Sequence, residues 1–174
     1  ERANELRPGE AEIIRNLAWA YHGAGRDADA VRSFEHLAKI EAPTADDQYR
    51  LGVSLEKVGR VDDALAAWRA CTGAHPDRLD AHLAAANLAA RLERHREALA
   101  SFHEVARVAP DRVEGFAGIG AASQALGLHP DAVSAFREAI KRAPTQPMLR
   151  VGLGVSCAAV GSMQEAVEAL EQAV

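Results

Sequence analysis

Apolar residues recur three and four positions apart along this chain. Leu51, Leu55 and Val58 form one such stripe, and Ala64, Leu65, Trp68 and Cys71 form the next. That is the spacing of amphipathic helices that bury one face. Gly59-Arg60 separates the two stripes, and a glycine there supplies the left-handed backbone that closes a helix. Asp62 and Asp63 then open the second stripe, where the partial positive charge of a helix N-terminus favours carboxylates. Pro76 ends that helix, and Asp77 stands where it can cap the one that follows. The pattern predicts a helix, a tight turn, a second helix and a second turn.

This unit recurs. Gly25, Gly59, Glu93, Gly127 and Gly161 are each 34 residues apart. Ala30, Ala64, Ala98, Ala132 and Ala166 keep the same interval, and so do Phe34, Trp68, Phe102, Phe136 and Leu170. Pro76, Pro110 and Pro144 share it, with Pro8 at the left edge and Pro43 displaced by one residue. A fixed period of this length is the signature of a repeat architecture. Each unit is a helix pair that cannot bury its apolar face alone and must stack on its neighbours.

These columns resemble the tetratricopeptide repeat, whose pattern is W-x2-L-G-x2-Y, then A-x3-F, then P. The fourth unit fits it with Phe116, Ile119, Gly120, Ala132, Phe136, Ala139 and Pro144. The second offers Leu51, Gly52, Ala64, Trp68 and Pro76, and the first Leu17, Ala18, Tyr21, Ala30 and Phe34. In the fifth, Leu153, Gly154, Ala166 and Leu170 match. The third departs most, with Ala85, Ala86 and Ala89 replacing larger residues. The resemblance implies an all-α fold, a tetratricopeptide-repeat α-solenoid in which antiparallel helix pairs form a right-handed superhelix. The expected units are residues 11–44, 45–78, 79–112, 113–146 and an incomplete 147–174, with 1–10 ending the second helix of a preceding repeat. Val167, Leu170 and Val174 then line one face of the final helix with nothing to cover them. A longer parent chain or end-to-end self-association is expected there.

Composition sharpens the picture. Alanine contributes 38 residues and aromatics only 5% of the chain. Alanine is the best helix former and a poor strand former, which excludes a β-sandwich or barrel. Its abundance falls at contacts between repeated helices. Charged residues make up 26% and the net charge is -5, so no broad basic face exists for a nucleic-acid backbone. The basic residues are 17 Arg and 3 Lys; together with the alanine and glycine content this fits GC-rich bacterial coding. No run approaches the roughly 18 apolar residues of a membrane span. No secretory signal pattern is present, and the compartment is left open between cytoplasm and periplasm.

The chemistry-bearing residues form no catalytic or metal constellation. Cys71 and Cys157 lie far apart without CxxC spacing and read as small buried hydrophobes. None of the histidines (His22, His36, His75, His82, His95, His103 and His129) has a partner four residues away on one helix, and no HExxH is present. No nucleophile–base pair and no phosphate loop occur. The chain is therefore expected to be non-catalytic, with no cofactor and no metal site.

The resemblance implies that the first helix of each repeat lines a concave, ligand-facing surface. The matching positions carry Arg15, Asn16 and Trp19, then Tyr49, Arg50 and Val53, then Asn87 and Arg91. Further on they become small and apolar, through Ala117, Gly118, Ala121, Val151, Gly152 and Val155. Trp19 and Tyr49 are the two aromatics that the repeat columns leave unexplained. Tryptophan, tyrosine and arginine together are the composition of a binding hot spot. The candidate contacts are Arg15, Trp19, Tyr49, Arg50, Asn87 and Arg91, and the expected partner is a protein or peptide. The arginines would pair with ligand carboxylates or carbonyls, the two aromatics would hold apolar side chains, and Asn87 would bond the ligand backbone. Some members of the family clamp a terminal carboxylate with Lys and Asn at these positions. Here the corresponding residues are Arg15, Trp19, Arg50, Asp80 and Ala84, or one repeat later Tyr49, Val53, Ala84, Glu114 and Gly118. Neither set matches, and an Asn ladder fails after Asn16. An alternative role is a repeat segment of a larger enzyme or export machine, serving as spacer or oligomerisation surface.

Overall fold

A computed structural model describes residues 9–174. The segment assigned to a preceding repeat, with Ala3 and Pro8, lies almost wholly outside the described residues. Glu10, placed in that segment by its repeat position, is the first residue of a helix.

Ten helices occur among the described residues, with no strand. They are α1 (Glu10–Gly23), α2 (Asp27–Leu37), α3 (Ala45–Lys57), α4 (Val61–Ala74), α5 (Leu79–Arg91), α6 (His95–Val108), α7 (Val113–Ala125), α8 (His129–Arg142), α9 (Pro147–Ala159) and α10 (Met163–Glu171). Helices α3, α5, α7 and α9 open at Ala45, Leu79, Val113 and Pro147, one 34-residue period apart. The chain forms two compact units, divided within α5 between Ala81 and His82.

The short turn inside each pair uses one device. The residue after the left-handed position donates its backbone N–H back to a carbonyl five residues earlier: Arg26 to Tyr21 at 2.9 Å, Arg60 to Leu55 at 2.9 Å, Leu128 to Ser123 at 2.8 Å, Ser162 to Cys157 at 2.9 Å. This satisfies carbonyls that the ending helix would otherwise orphan. It needs a positive φ, which Gly25, Gly59, Gly127 and Gly161 adopt freely. In the third repeat Glu93 takes the same conformation with φ 57°.

In the first unit, Ala18, Ala30, Phe34 and Leu37 form a buried core against which Ile14, Trp19, Tyr21 and Leu51 pack. The second unit buries Phe136 together with Val133, Leu149, Leu153 and Cys157. Glycine sets the helix spacing here. A methyl group on Gly120 of α7 would lie 2.9 Å from the Phe136 ring, and one on Gly152 of α9 would lie 2.5 Å from it. The ring is thus sandwiched between the first helices of two successive repeats. Gly52 stands in the same relation to Trp68, and Gly118 to Phe102. Gly118 and Gly152 were expected on an open wall. Instead, each makes room for the aromatic of the repeat before it. Cys71 and Cys157 are both free and fully buried, and burial pushes both thiols up from their ordinary range.

Candidate functional site

The sequence-predicted residues of the first unit gather around one carboxylate. Thr44 caps α3 by accepting from the Asp47 backbone N–H at 3.2 Å, and Asp47 accepts in return from the Thr44 N–H at 3.0 Å. This reciprocal capping box fixes where α3 begins. It also aims the Asp47 carboxylate at α1, where Arg15 and Trp19 stand four residues apart on one face. Arg15 Nε donates to Asp47 Oδ2 and Trp19 Nε1 to Oδ1, both at 2.9 Å. Asp47 is 1% exposed. Burial works to raise its pKa, but the hydrogen bonds from Thr44, Arg15 and Trp19 outweigh that and hold it below the usual carboxylate range.

The remaining residues build on this anchor. Arg15 also pairs with Glu41, so its charge is met twice within the protein. The Arg50 guanidinium lies over the Trp19 ring, 4.7 Å from its centroid, within cation–π range. No ion pair to Arg50 occurs among the described residues. Tyr49 sits beside it on α3 and carries the Arg78 guanidinium 5.6 Å from its ring centroid. Arg78 is itself forked onto Asp80, at 2.8 and 2.9 Å, and bonded to Asp46 at 2.8 Å. Burial, followed by the charge of Asp80, raises the Tyr49 pKa.

Of the two aromatics unexplained by the repeat columns, Trp19 is held by Asp47 and Arg50 of the next repeat, and Tyr49 carries a cation from the end of its own repeat. Trp19 is not a free groove-facing ring. It is half-buried on the first-unit core, its N–H is spent on Asp47, and a face is covered by Arg50. Sequence reasoning missed Asp47, which looked like an ordinary acidic residue in a first helical turn. Its spacing after Thr44 was the available signal. Asn87 and Arg91 lie on the second unit's part of α5, both exposed.

A serine, a histidine and an aspartate also meet in the first unit. His22 Nδ1 lies 2.9 Å from Ser54 Oγ, and Ser54 donates to Asp27 Oδ1 at 3.0 Å. Lys57 approaches the same Asp27 oxygen at 3.6 Å. Ser54 is fully buried, and its hydroxyl donates to the carboxylate directly rather than through the imidazole. A nucleophile needs the opposite arrangement, with the base on the hydroxyl and the carboxylate behind the base. The network instead ties α1, α2 and α3 together. Burial, then the charges of Arg50 and Lys57, lower the His22 pKa.

No helix of the described residues is long and apolar enough to cross a membrane. The architecture is an all-α solenoid of repeated helix pairs, the class used for protein-interaction scaffolds. The tetratricopeptide repeat profile matches residues 49–113, 83–147 and 118–174, and the chain belongs to the tetratricopeptide repeat family. Solved structures agree on the fold. One is MamA AMB-1, at 20% identity and a TM-score of 0.83, covering 96% of this chain and 91% of that one. A second structure of MamA has 15% identity and a TM-score of 0.84, covering 96% and 91%. MamA from Desulfovibrio magneticus RS-1, residues 41 to the end, has 18% identity and a TM-score of 0.77, covering 94% and 92%. No curated protein sequence matches the chain.

Proposed function

We propose that the chain is a non-catalytic scaffold that holds a peptide or helix of a partner protein against its first helices, with Arg50 as the principal contact. The observation carrying this reading is the Arg50–Trp19 pair. Arg50 is a cation with no ion-pair partner among the described residues, held over a ring that Asp47 fixes in place. Such a cation is preorganised, so less side-chain entropy is lost when a ligand carboxylate or carbonyl reaches it. Tyr49 supplies apolar area beside it. Arg15 serves as a positioning residue, because Asp47 and Glu41 already hold its charge. Asn87 and Arg91 enter the proposal by their repeat positions alone.

The test is quantitative partner capture with the full chain, comparing wild type with Arg50→Glu and with the double change Trp19→Ala, Arg50→Ala. Helicity is checked in parallel. Loss of capture by folded Arg50→Glu supports the site, and undiminished capture by both variants overturns it. A second reading, an assembly surface, is favoured by α10, where Val167 is 54% and Leu170 41% exposed. Concentration-dependent sedimentation that is abolished by Val167→Glu would support it, and a constant monomer mass would remove it.

A further inference from the structure

Within each unit, a groove runs between the second helices of successive repeats, floored by the first helix between them. Two such grooves are closed by an ion pair across their mouths. Over α3, Arg60 joins Glu35 of α2 at 2.7 Å and Asp63 of α4 at 2.7 Å. Over α9, Arg137 of α8 reaches both carboxylate oxygens of Glu165 of α10 at 2.7 Å. Over α7 the same repeat positions hold His103 on α6, Leu128 at the start of α8 and Asp131 on α8. No ion pair joins them.

The α6–α8 groove is correspondingly open. It holds two adjoining cavities of about 460 and 440 Å3, both bordered by Leu99 and His103. Either volume is in the range that accepts a small ligand or a large side chain. The floor is apolar, with Phe116 and Ile119, and Leu128 at one end is 41% exposed. Ser123 also lies on the floor, where the first two repeats have Tyr21 and Leu55, and this smaller residue leaves space. Its buried hydroxyl has no hydrogen-bond partner among the described residues. Of the two rim carboxylates, Glu138 is already taken by Lys141 and Arg142. Asp131 is exposed, with no ion-pair partner among the described residues. Arg96 borders the far cavity only.

We propose that this groove is a second docking site, and that it takes an arginine flanked by an apolar or aromatic residue of a partner protein. The partner's guanidinium would meet Asp131, supplying in trans the cation that Arg60 and Arg137 supply within the chain. Its apolar neighbour fills the cavity over Phe116 and Ile119. Charge and shape both select this occupant: the open rim charge is negative and the space behind it is greasy. The site lies on the second helices and is independent of the Arg50 surface.

The experiment titrates benzylguanidine into the full chain and follows backbone amide NMR shifts. Benzyl alcohol and phenylacetate serve as neutral and anionic controls with the same ring. The expected result is saturable shifts at Leu99, Ser123 and Asp131, with a dissociation constant of roughly millimolar order for so small a probe. Asp131→Asn weakens binding about three- to five-fold, as fits an exposed ion pair. His103→Arg, which copies Arg137 and closes the groove, removes saturable binding while the amide spectrum stays that of a folded chain. Equal binding of phenylacetate, or unchanged binding in both variants, overturns the proposal. So do groove shifts on raising protein concentration without probe, because the occupant is then a second copy of the chain.

Discussion

Glu93 stands where four other repeats have glycine, and it has the only positive φ of a non-glycine residue among the described residues. In the left-handed region the Cβ of an L-residue crowds the following carbonyl, which costs about 1–2 kcal/mol. Its side chain is exposed and makes no ion pair among the described residues, so removing it sacrifices little. Glu93→Gly relieves the crowding but loosens the unfolded chain, which takes back about 0.4–1 kcal/mol. The net expectation is a stabilisation of about 1 kcal/mol. For a chain of this size that is a rise in Tm of about 2–4 °C. Glu93→Ala keeps the crowding and should leave Tm within about 1 °C of wild type on the same scale. Thermal unfolding followed by far-UV circular dichroism measures both. An unchanged or lower Tm for Glu93→Gly would mean that this turn does not use the geometry of its four counterparts, and the argument from repeat to turn would fail.

Four further outcomes follow from contacts already described. Gly152→Ala pushes a methyl group into the Phe136 ring, 2.5 Å away, and should cost about 1–3 kcal/mol in urea unfolding. Asp47→Ala strands the Trp19 N–H and one side of Arg15. It should cost about 2–3 kcal/mol, below the full cost of breaking a buried pair because Arg15 keeps Glu41. The same carboxylate has a pH signature. Its folded pKa is depressed, so its contribution is complete above the unfolded value of about 3.9 and is lost as pH falls through the folded value; the difference in stability between wild type and Asp47→Ala should therefore shrink only on the acid side of pH about 4. Ser123→Ala removes a buried hydroxyl with no partner and should raise stability by about 1 kcal/mol, whereas a loss would show that the hydroxyl is bonded.

The period of 34 and the glycine, alanine and aromatic columns made the helix pairs and their turns legible, because each column answers one local demand. A turn needs a left-handed residue, a close approach needs a small one, and the gap between repeats needs a ring. The candidate site was less legible. Trp19 was found as a residue outside the core columns, but its role depends on Asp47, 28 residues away, and no column marks that pairing. Gly118 and Gly152 read as bare surface because a missing side chain does not say what occupies its place. The open groove over α7 was also hidden, since it consists of an ion pair that other repeats make and this one lacks.

The central claim, that a partner protein is held on the first helices around Arg50, is tested most directly by hydrogen–deuterium exchange of the full chain with and without its captured partner. Slowed exchange is expected to be concentrated in α1 and α3 around Trp19 and Arg50, and to be absent when Arg50→Glu replaces wild type. Binding that leaves exchange in α1 and α3 unchanged would contradict it.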